Sequence, residues 1–547
     1  MKTKVLFGAC FAALLSLTAL AGCGTTSGQD KYDKDGRLIL ELQNLYFKAD
    51  FTGDDMYSEF IEDKFGVSLR PSNYTYNGWD EEVNISIGGN NILDTVHYNL
   101  KAYNFGSSYE KWVNNRVVKA LPEDLSKWPE LKKMIDNISN IDALKVQDPD
   151  DGKMKLFCIP IANDISTPEK DFSHFTYVYR RDWVKEIDEK NKDKPGYTPL
   201  YKEGDVYTWD EFQRILAAFK VKVAEDKING EVVMVDESWG FPSVTNFYKD
   251  VPHCFAKDEN GKAINAFTSD KYVTGLDKAK EFVTNAYYSQ DQFTYVETTA
   301  NSNYANGLAG ILYDNFNLSN YITLRKAFKK NNKNVNFEDG TALMKVMGPD
   351  GNFALEGIEN WFSVTMFNYD ISTKKMEKIL DILNYLLSEE GTRLAIYGLP
   401  EVDYNIIDGK VELTETGWEK IEGTDEYSPK TNGAKYLRYM ATLGDDTKAY
   451  DPFTDQDAFA LINEWQEEMK AAKNAGKLRV VKEPGDIDWM SAPVKNKRTQ
   501  LILEEANKNV LKYCFNRIGS IEAYKAEFDK NVYWKQILDE INERLGK

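Results

Sequence analysis

The sequence contains few of the residues on which metal and redox sites are built. Its 547 residues include three histidines and five cysteines. His97, His174 and His253 are too far apart to share metal-ligand spacing, and no Cys-x-x-Cys pair occurs. The cysteines are also too widely spaced for a disulfide framework. We therefore expect no cofactor, no bound metal and a fold that needs no covalent cross-links.

Sequence motifs of common enzymes are missing as well. There is no phosphate-binding GxxxxGKS/T loop, no GxGxxG, no HExxH and no GxSxG. Asp148, Asp150 and Asp151 precede Gly152, but the segment lacks the alternation and the distal glutamate of an EF-hand, so we interpret it as a hydrated turn. Among 87 acidic residues a carboxylate pair for glycoside hydrolysis is conceivable, and only separation in space decides it. The sequence predicts a protein that is not an enzyme.

The only long apolar run lies at the N-terminus. It covers residues 5–20, follows two lysines and is interrupted by glycine, serine and threonine. It is too short for a comfortable membrane span, which needs about 20 apolar residues. A positive start, an apolar centre and small residues at its end are typical of a secretory signal peptide, which we place at residues 1–22.

The end of this signal, "LAGC" at residues 20–23, resembles the bacterial lipobox. The cysteine of a lipobox is acylated, with palmitate among its lipids, and becomes the first residue of the mature protein. We therefore expect Cys23 to carry a lipid anchor and residues 23–35 to form a tether between the lipid and the folded protein. The alternative is an ordinary signal cleavage nearby, in which Cys23 has no role.

The charge of the chain is strongly acidic. The formal net charge is −19, and the predicted signal removes two lysines and no acidic residue, which leaves −21. An acidic surface is repelled by nucleic acids and by anionic membrane surfaces. We therefore expect no nucleic-acid partner, and a membrane association that depends on the lipid alone.

Hydrophobic periodicity alternates between strand and helix patterns. "RLILELQNL" (37–45), a helix at 54–65, "GVSLRP" (66–71), a helix around 79–87 and "ILDTVHY" (92–98) give the order strand, helix, strand, helix, strand. This order predicts a doubly wound α/β sheet. A second α/β run starts at residue 175, and the C-terminal third is mostly helical. Residues 374–398 give the clearest helix, and Gly398 is placed to end it.

Aromatic residues are the one abundant group with a functional implication. They make up 13% of the chain, and many lie beside amides and acids where predicted elements end. Sugar rings stack on aromatic faces, and their hydroxyl groups bind the amide and carboxylate side chains that can accept or donate two hydrogen bonds. For any single aromatic residue, however, packing in the core outweighs ligand contact.

Several segments resemble the extracellular solute-binding protein family 1 of carbohydrate ABC importers, in its long lipoprotein branch. The similarity covers most of the mature chain and lies in the shared order of the segments rather than in any one of them. The family's strand entry has Gly-Asp-x-Pro-Asp-Ile, where this chain has Leu93 for the proline and keeps Asp94. The similar segments are "NISIGGNNILDTVHYN", "VVKALPEDLSKWPELKKMI", "DGKMKLFCIPI", "YVYRRDWVKEI", "YTWDEF", "ANGLAGILYD" and "LLSEEGTRLAIYGLPEVDYN".

The resemblance implies a two-lobed, periplasmic-binding-protein-like α/β fold, each lobe a doubly wound sheet flanked by helices, that closes on its ligand by a hinge motion. We place lobe 1 at residues 36–174 with about 355–400, and lobe 2 at 175–354 with about 401–547, including helices at the C-terminus. Some long relatives carry a calcium loop after the helix that starts at Trp209. Ile228 and Val235 occupy the positions of oxygen ligands here, so we do not expect that metal.

By the same resemblance, the protein is a monomer that binds a carbohydrate, more specifically an oligosaccharide, and delivers it to the transmembrane subunits of an ABC permease. A lipid anchor suits the extracellular face of the membrane in a bacterium without an outer membrane. The candidate ligand-binding residues are Trp79, Asp94, Tyr98 and Asn99 in the first lobe, Trp239, Tyr313, Asp314, Asn315 and Trp361 in the second lobe and the crossover, and Tyr397 and Tyr404 in the late segment.

Three alternatives remain open from the sequence. The same fold could bind a peptide or another solute. A surface glycosidase is the enzyme alternative, and an adhesive surface lipoprotein without a small ligand is the third. A carbohydrate-binding protein binds glycans without consuming them, and a binding protein for peptides binds no glycan. A glycosidase consumes glycans, and an adhesive lipoprotein neither binds a small ligand nor closes on one.

Overall fold

The structure is a computed structural model. It describes residues 30–48, 50–73, 79–89, 91–98, 107–162, 172–226, 232–237, 242–252, 254–288, 291, 299–421, 429–443, 455–488, 490 and 492–546. Cys23 and the predicted signal therefore lie outside the described residues. Within these ranges, no helix combines the length and the apolar character that crossing a membrane requires.

The N-terminal part begins with two parallel strands joined by a helix. Leu38 pairs with Val67, and alternate side chains of the first strand are buried, as the period of two requires. Asp55 caps the helix by accepting from the backbone N–H groups of Tyr57 and Ser58. The elements are β1 (Leu38–Asn44), α1 (Met56–Phe65), β2 (Val67–Asn73), α2 (Trp79–Gly88), β3 (Thr95–Tyr98), α3 (Ser107–Asn114), β4 (Val118–Lys119), α4 (Pro129–Asp136), β5 (Lys145–Gln147), β6 (Met154–Leu156) and β7 (Cys158–Ala162).

The middle of the chain forms a five-stranded mixed sheet, which we call the second sheet. Its order is β10-β13-β8-β14-β9; β10 and β13 are parallel, and β8 is antiparallel to both of its neighbours. The elements are β8 (Phe175–Arg180), α5 (Arg181–Asn191), β9 (Val206–Tyr207), α6 (Trp209–Asp226), β10 (Val232–Asp236), β11 (Phe255–Lys257), β12 (Ala263–Asn265), α7 (Asp270–Thr284), α8 (Thr299–Ala305), β13 (Ala309–Asn315), α9 (Leu318–Asn331), α10 (Phe337–Gly340) and β14 (Thr341–Val346).

The rest of the chain returns to the N-terminal part and ends in helices. After β15, which pairs with β19, β16 pairs with β3, β4 and β7 in what we call the first sheet. The elements are β15 (Phe353–Glu356), β16 (Trp361–Asn368), α11 (Thr373–Leu387), α12 (Glu389–Tyr397), β17 (Tyr404–Ile407), β18 (Lys410–Leu413), α13 (Glu415–Ile421), α14 (Gly433–Arg438), α15 (Gln456–Asn474), β19 (Leu478–Val481), α16 (Gly485–Asp488), α17 (Pro493–Cys514), α18 (Ile521–Asp529) and α19 (Val532–Leu545).

The helix predicted at residues 374–398 is two helices. Ser388 has extended backbone angles, so α11 ends there, and its side chain accepts from the N–H of Gly391 to begin α12. Gly398 ends α12 with a φ of 99°, as predicted from its position. The single-helix prediction was wrong because the apolar periodicity continues through a residue that also caps a new helix.

The buried side chains of the described residues form three apolar cores. The first draws on residues 38–162 and 361–441, the second on 177–346 and 487–541, and the third on 172–355 and 458–478. Residues 434–441, which the sequence assigned to lobe 2, belong to the first core. The exact lobe boundaries stay a prediction.

Candidate ligand site at the edge of the second sheet

Three strands of the second sheet bring polar residues to one edge. The parallel strands β10 and β13 both end there, with Asp236 beside Tyr313, and β8 starts there, with Phe175 beside Asn315. The carboxyl ends of parallel strands are where α/β sheets bind ligands, because the chain leaves the sheet at that point and opens a crevice. This edge is the candidate site.

A pocket of about 520 Å³ opens at this edge, against α8 and α9. Its lining combines an aromatic ring, carboxylates and several amides, including Phe175, Glu237, Asn301, Asp314, Asn315 and Asn320. The volume lies within the range of small-ligand sites, about 300–1,000 Å³. A second cavity, between Tyr177, Tyr313 and Trp465, measures about 20 Å³, which is room for a water molecule but not for a sugar.

Hydrogen bonds fix the end of β13, where Asp314 lies. One oxygen of its carboxylate accepts from the Asn301 side chain at 2.8 Å, and the other accepts from the backbone N–H of Asn315 at 2.6 Å. The Asn320 side chain donates to the backbone carbonyl of Asn315 at 2.8 Å. Burial raises the pKa of Asp314, and these neutral donors offset only part of that effect.

The side-chain oxygen of Asn315 is buried and accepts no hydrogen bond from the described residues. A buried acceptor without a donor costs about 1–3 kcal/mol, so native proteins rarely leave one unsatisfied. Asn315 lines the pocket. The oxygen is shielded from the pocket in this conformation, so a hydroxyl or a water supplies the missing donor only once the Asn315 side chain turns its oxygen toward the pocket. We take this unsatisfied acceptor in a pocket-lining side chain as an indication of a ligand at this edge.

The predicted residues Tyr313 and Asp314 lie on opposite faces of β13, as neighbours in a strand must. The Tyr313 hydroxyl accepts from the Asn246 side chain at 2.8 Å, and its ring stacks on Phe175 with centroids 5.7 Å apart. Tyr313 lines the small cavity, whereas Asp314 lines the large pocket. Phe175 borders both cavities, so Tyr313 supports the ring that faces the candidate site.

The predicted residues near the first sheet are held in the protein interior. Both oxygens of Asp94 lie 2.9 Å from the Lys375 ammonium, and Asp94 also accepts from the backbone N–H of Glu41. The Tyr98 ring meets Trp112 edge-on, with centroids 4.8 Å apart. Trp361 is 0% exposed, and its indole N–H donates to the Ser139 carbonyl at 3.2 Å. In this conformation the three side chains fill the core, and their contact with a ligand stays a prediction.

The remaining predicted residues divide into two groups. Tyr397 and Tyr404 are buried and pack against each other, with ring centroids 5.7 Å apart, away from the lining of the pocket. Asn99 and Trp239 lie outside the described residues, as does the side chain of Trp79, whose backbone begins α2. The ligand role of these five stays a prediction too.

Sequence reasoning missed Phe175, Glu237, Asn301 and Asn320. The signal that could have found two of them is the run of asparagines between residues 301 and 320, which brackets the predicted Asp314 and Asn315. Phe175 and Glu237 carry no such signal. They reach the pocket only because β8 and β10 flank β13 in the sheet.

The aspartates that precede Gly152 are engaged by protein cations. The Lys155 ammonium lies 2.8 Å from Asp148 and 2.6 Å from Asp151, and Arg116 binds Asp150 at 2.7 Å. Across the part of the chain that the structure describes, no three His, Cys, Asp or Glu residues come together as a possible metal site. The interpretation of this segment as a turn agrees with its geometry.

No family model matches the sequence, and no curated protein matches it. Solved structures do match over almost the whole chain. The alginate-binding protein AlgQ2 without calcium ion is 13% identical, with 93% of this chain and 97% of that chain covered and a TM-score of 0.60. The HMO-binding ABC-transporter-associated solute-binding protein of Bifidobacterium longum infantis is 15% identical, with 93% and 100% covered and a TM-score of 0.61. The S. pneumoniae ABC-transporter substrate-binding protein FusA in complex with kestose is 13% identical, with 93% and 99% covered and a TM-score of 0.58.

At these identities the similarity establishes the fold. It confirms the predicted fold class, because the similar proteins are solute-binding proteins and align over nearly their entire length. The more specific assignment to solute-binding protein family 1 stays a prediction. The chain therefore has the two-lobed, periplasmic-binding-protein-like α/β fold.

Proposed function

We propose that this protein is the substrate-binding protein of an ABC importer, and that it captures a carbohydrate at the edge of the second sheet. The observation that carries the proposal is the large pocket with its aromatic, amide and carboxylate lining, in which Asn315 also has an unsatisfied side-chain oxygen. Fold similarity to proteins described as binding alginate, HMO and kestose supports the choice of ligand class.

The pocket has the chemistry that sugars need. Asp314 can accept hydroxyl hydrogens, and amides such as Asn301 and Asn320 can both donate and accept. Phe175 offers an aromatic face on which the C–H face of a sugar ring can stack. The volume suits a small ligand or one part of a larger ligand, and we favour an oligosaccharide of which this pocket binds one part.

In this proposal the protein binds its ligand and does not catalyse a reaction. It is a monomer on the extracellular face of the cell membrane, anchored through a lipid on Cys23, and it hands its ligand to permease subunits whose ATPase is a separate chain. Support comes from the lipobox-like "LAGC" and from the polar tether that follows it. A capture protein needs to stay near its transporter, and a lipid anchor keeps it there.

Thermal unfolding in the presence of a panel of glycans tests whether the ligand is a carbohydrate. A ligand at 100 times its Kd adds about 2.7 kcal/mol to the free energy of unfolding, so a bound glycan raises the Tm clearly. We expect at least one oligosaccharide to do so, and no reducing ends to appear during incubation. Stabilisation by peptides but by no glycan would refute the carbohydrate proposal, and release of reducing ends would refute a binding-only function.

Membrane fractionation tests whether a lipid on Cys23 anchors the protein. We expect the wild-type protein in the membrane fraction and the Cys23→Ala variant in the medium, since that variant cannot be acylated at residue 23. Cys158→Ala is the matched control, because Cys158 is buried in the first core and cannot carry a lipid. A Cys23→Ala variant that remains in the membrane fraction would contradict the anchor.

A further inference from the structure

The residues before β1 fold back onto that strand. Tyr32 forms an antiparallel bridge with Leu38, and the backbone N–H of Gly36 donates to the carbonyl of Asp33 at 3.2 Å. The chain reverses at Gly36, whose φ of 81° lies in the left-handed region that favours glycine. We call residues 30–37 the N-terminal segment.

The N-terminal segment also contacts the start of α11 through two pairs of side chains. The hydroxyl of Ser372 donates to the carboxylate of Asp30 at 2.5 Å, while it accepts from the N–H of Lys375 as the N-cap of the helix. The Lys374 ammonium donates to the Tyr32 hydroxyl at 2.9 Å and lies over the Tyr32 ring, 5.1 Å from its centroid. A carboxylate at a helix N-terminus and a cation over an aromatic face are both favourable contacts.

The start of α11 is itself fixed to the interior of the first core. Lys375, next to Lys374 in the helix, is buried and binds both oxygens of Asp94, which precedes β3. Met376 and Ile379 of the same helix belong to the first core. The N-terminal segment is therefore attached to the exposed end of a helix whose other face is packed inside the protein.

This attachment limits the distance between the folded protein and an anchor at residue 23. Cys23 precedes Asp30 by 7 residues, and a chain spans at most about 3.6 Å per residue, so the two residues lie at most about 25 Å apart. From Cys23 to Leu38, the first residue of β1, there are 15 residues, which would reach about 54 Å. Docking of the N-terminal segment on α11 therefore shortens the reach of the tether by about half.

We infer that the N-terminal segment is a docking element that attaches the membrane anchor to the start of α11 and keeps this surface of the first core within about 25 Å of the lipid headgroups. The inference rests on the proposed function, because it requires the lipid on Cys23, and it specifies which surface faces the membrane. The lining of the large pocket includes residues of the third core. A hinge motion therefore moves the pocket relative to the anchored first core.

The sequence allows trypsin to report on this docking. Residues 23–30 contain no lysine or arginine. The first tryptic sites after the anchor are Lys31, Lys34 and Arg37, all in the N-terminal segment. A protease needs an accessible, unfolded stretch of chain, so these bonds are cut in proportion to the time that the segment spends undocked.

The experiment digests the membrane fraction that holds the full chain and identifies the new N-termini of the released protein by mass spectrometry. A synthetic peptide of residues 30–39 gives the rate at which the same bonds are cut without the fold. We expect the bonds in the protein to be cut at least about tenfold more slowly than in the peptide, because the docked segment opens only part of the time. Equal rates would overturn the inference.

The variant Lys374→Ala removes the contact with Tyr32 and leaves the cleaved bonds unchanged. We expect its release to be about two- to fivefold faster than that of wild type, the contribution of a cation over an exposed aromatic ring. Lys378→Ala is the matched control, because Lys378 lies one turn further along α11 and makes no hydrogen bond or ion pair with residues 30–37 in the described part of the chain.

The outcomes separate the docking from the anchor. Release of Lys374→Ala at the wild-type rate would overturn the role of α11 in the docking and leave the anchor intact. Protein that is already in the medium before trypsin is added would refute the lipid anchor of the proposed function, and with it the distance of the first core from the membrane.

Discussion

Two buried aspartates, one at each sheet, have different surroundings. Asp94 near the first sheet and Asp314 in the second sheet are 6% and 7% exposed. Asp94 has the Lys375 ammonium at both of its oxygens, whereas the donors that Asp314 has among the described residues are the neutral groups of Asn301 and Asn315. The ammonium compensates the charge of Asp94. Neutral donors leave Asp314 with charge and lone pairs that can bind a ligand at the edge of a pocket.

The difference teaches that burial alone does not identify a ligand-binding acid. Asp94 completes its interactions inside the protein, so its role is to join α11 to the start of β3. Asp314 lies next to an unsatisfied acceptor, Asn315, in a pocket that is open to solvent. The partner of a buried charge, rather than its exposure, separates a structural site from a ligand site.

The largest effect is expected from Lys375→Met. The substitution leaves the Asp94 charge buried without a cation, and such losses lower the free energy of unfolding by about 3–5 kcal/mol. Urea unfolding measures the change. Lys374→Met, next along the exposed start of α11, is the matched control and should change stability little. A loss below about 1 kcal/mol for Lys375→Met would show that the pair does not hold the first sheet.

His97, another buried residue of the first sheet, makes the stability of the protein depend on pH. It is fully buried in β3, its Nδ1 accepts from the backbone N–H of Leu45 at 3.0 Å, and burial lowers its pKa to about 3. The unfolded chain takes up a proton below about pH 6.5 and the folded chain does not. Stability is therefore lost as the pH falls from 6.5 toward 3, by at most about 1.4 kcal/mol per pH unit.

The His97→Asn variant isolates this effect, because its side-chain oxygen can still accept from Leu45 and does not titrate in this range. Urea unfolding at several pH values should give a shallower loss of stability in acid for the variant than for wild type. Parallel curves for the two proteins would contradict the neutral, buried state of His97.

A smaller effect of opposite sign is expected at Asp314. Its pKa is raised by burial, so the folded protein holds a proton more tightly than the unfolded chain does. The stability that this proton provides is present below the unfolded pKa of about 4 and is lost as the pH rises through the raised folded value. Relative to wild type, Asp314→Asn should therefore gain stability between acidic and neutral pH. A constant difference across this range would contradict the shift.

The sequence predicted the class of fold, and two of its candidate ligand residues, Asp314 and Asn315, line the large pocket. The hydrophobic periodicity of strands and helices is visible within short segments of sequence. These segments were therefore enough to predict the α/β class and the end of a helix at Gly398. Asp94 and Asp314 both stood beside predicted strands, and the sequence could not separate them, since Lys375 lies 281 residues from Asp94. Phe175 and Glu237 reach the site through strand order, which no local pattern encodes.

The most direct test compares glycan binding by wild type, Asn315→Ala and Asn405→Ala in one calorimetric series. Removing the unsatisfied oxygen of Asn315 costs the unbound protein nothing in lost hydrogen bonds from the described residues, so we expect its unfolding free energy to stay within about 1 kcal/mol of wild type. Its affinity for the glycan should fall about tenfold, the effect of one hydrogen bond to a ligand. Asn405→Ala, with an exposed side chain on β17, should bind like wild type. Wild-type affinity in the Asn315→Ala variant would contradict the assignment of the ligand site to this edge of the second sheet.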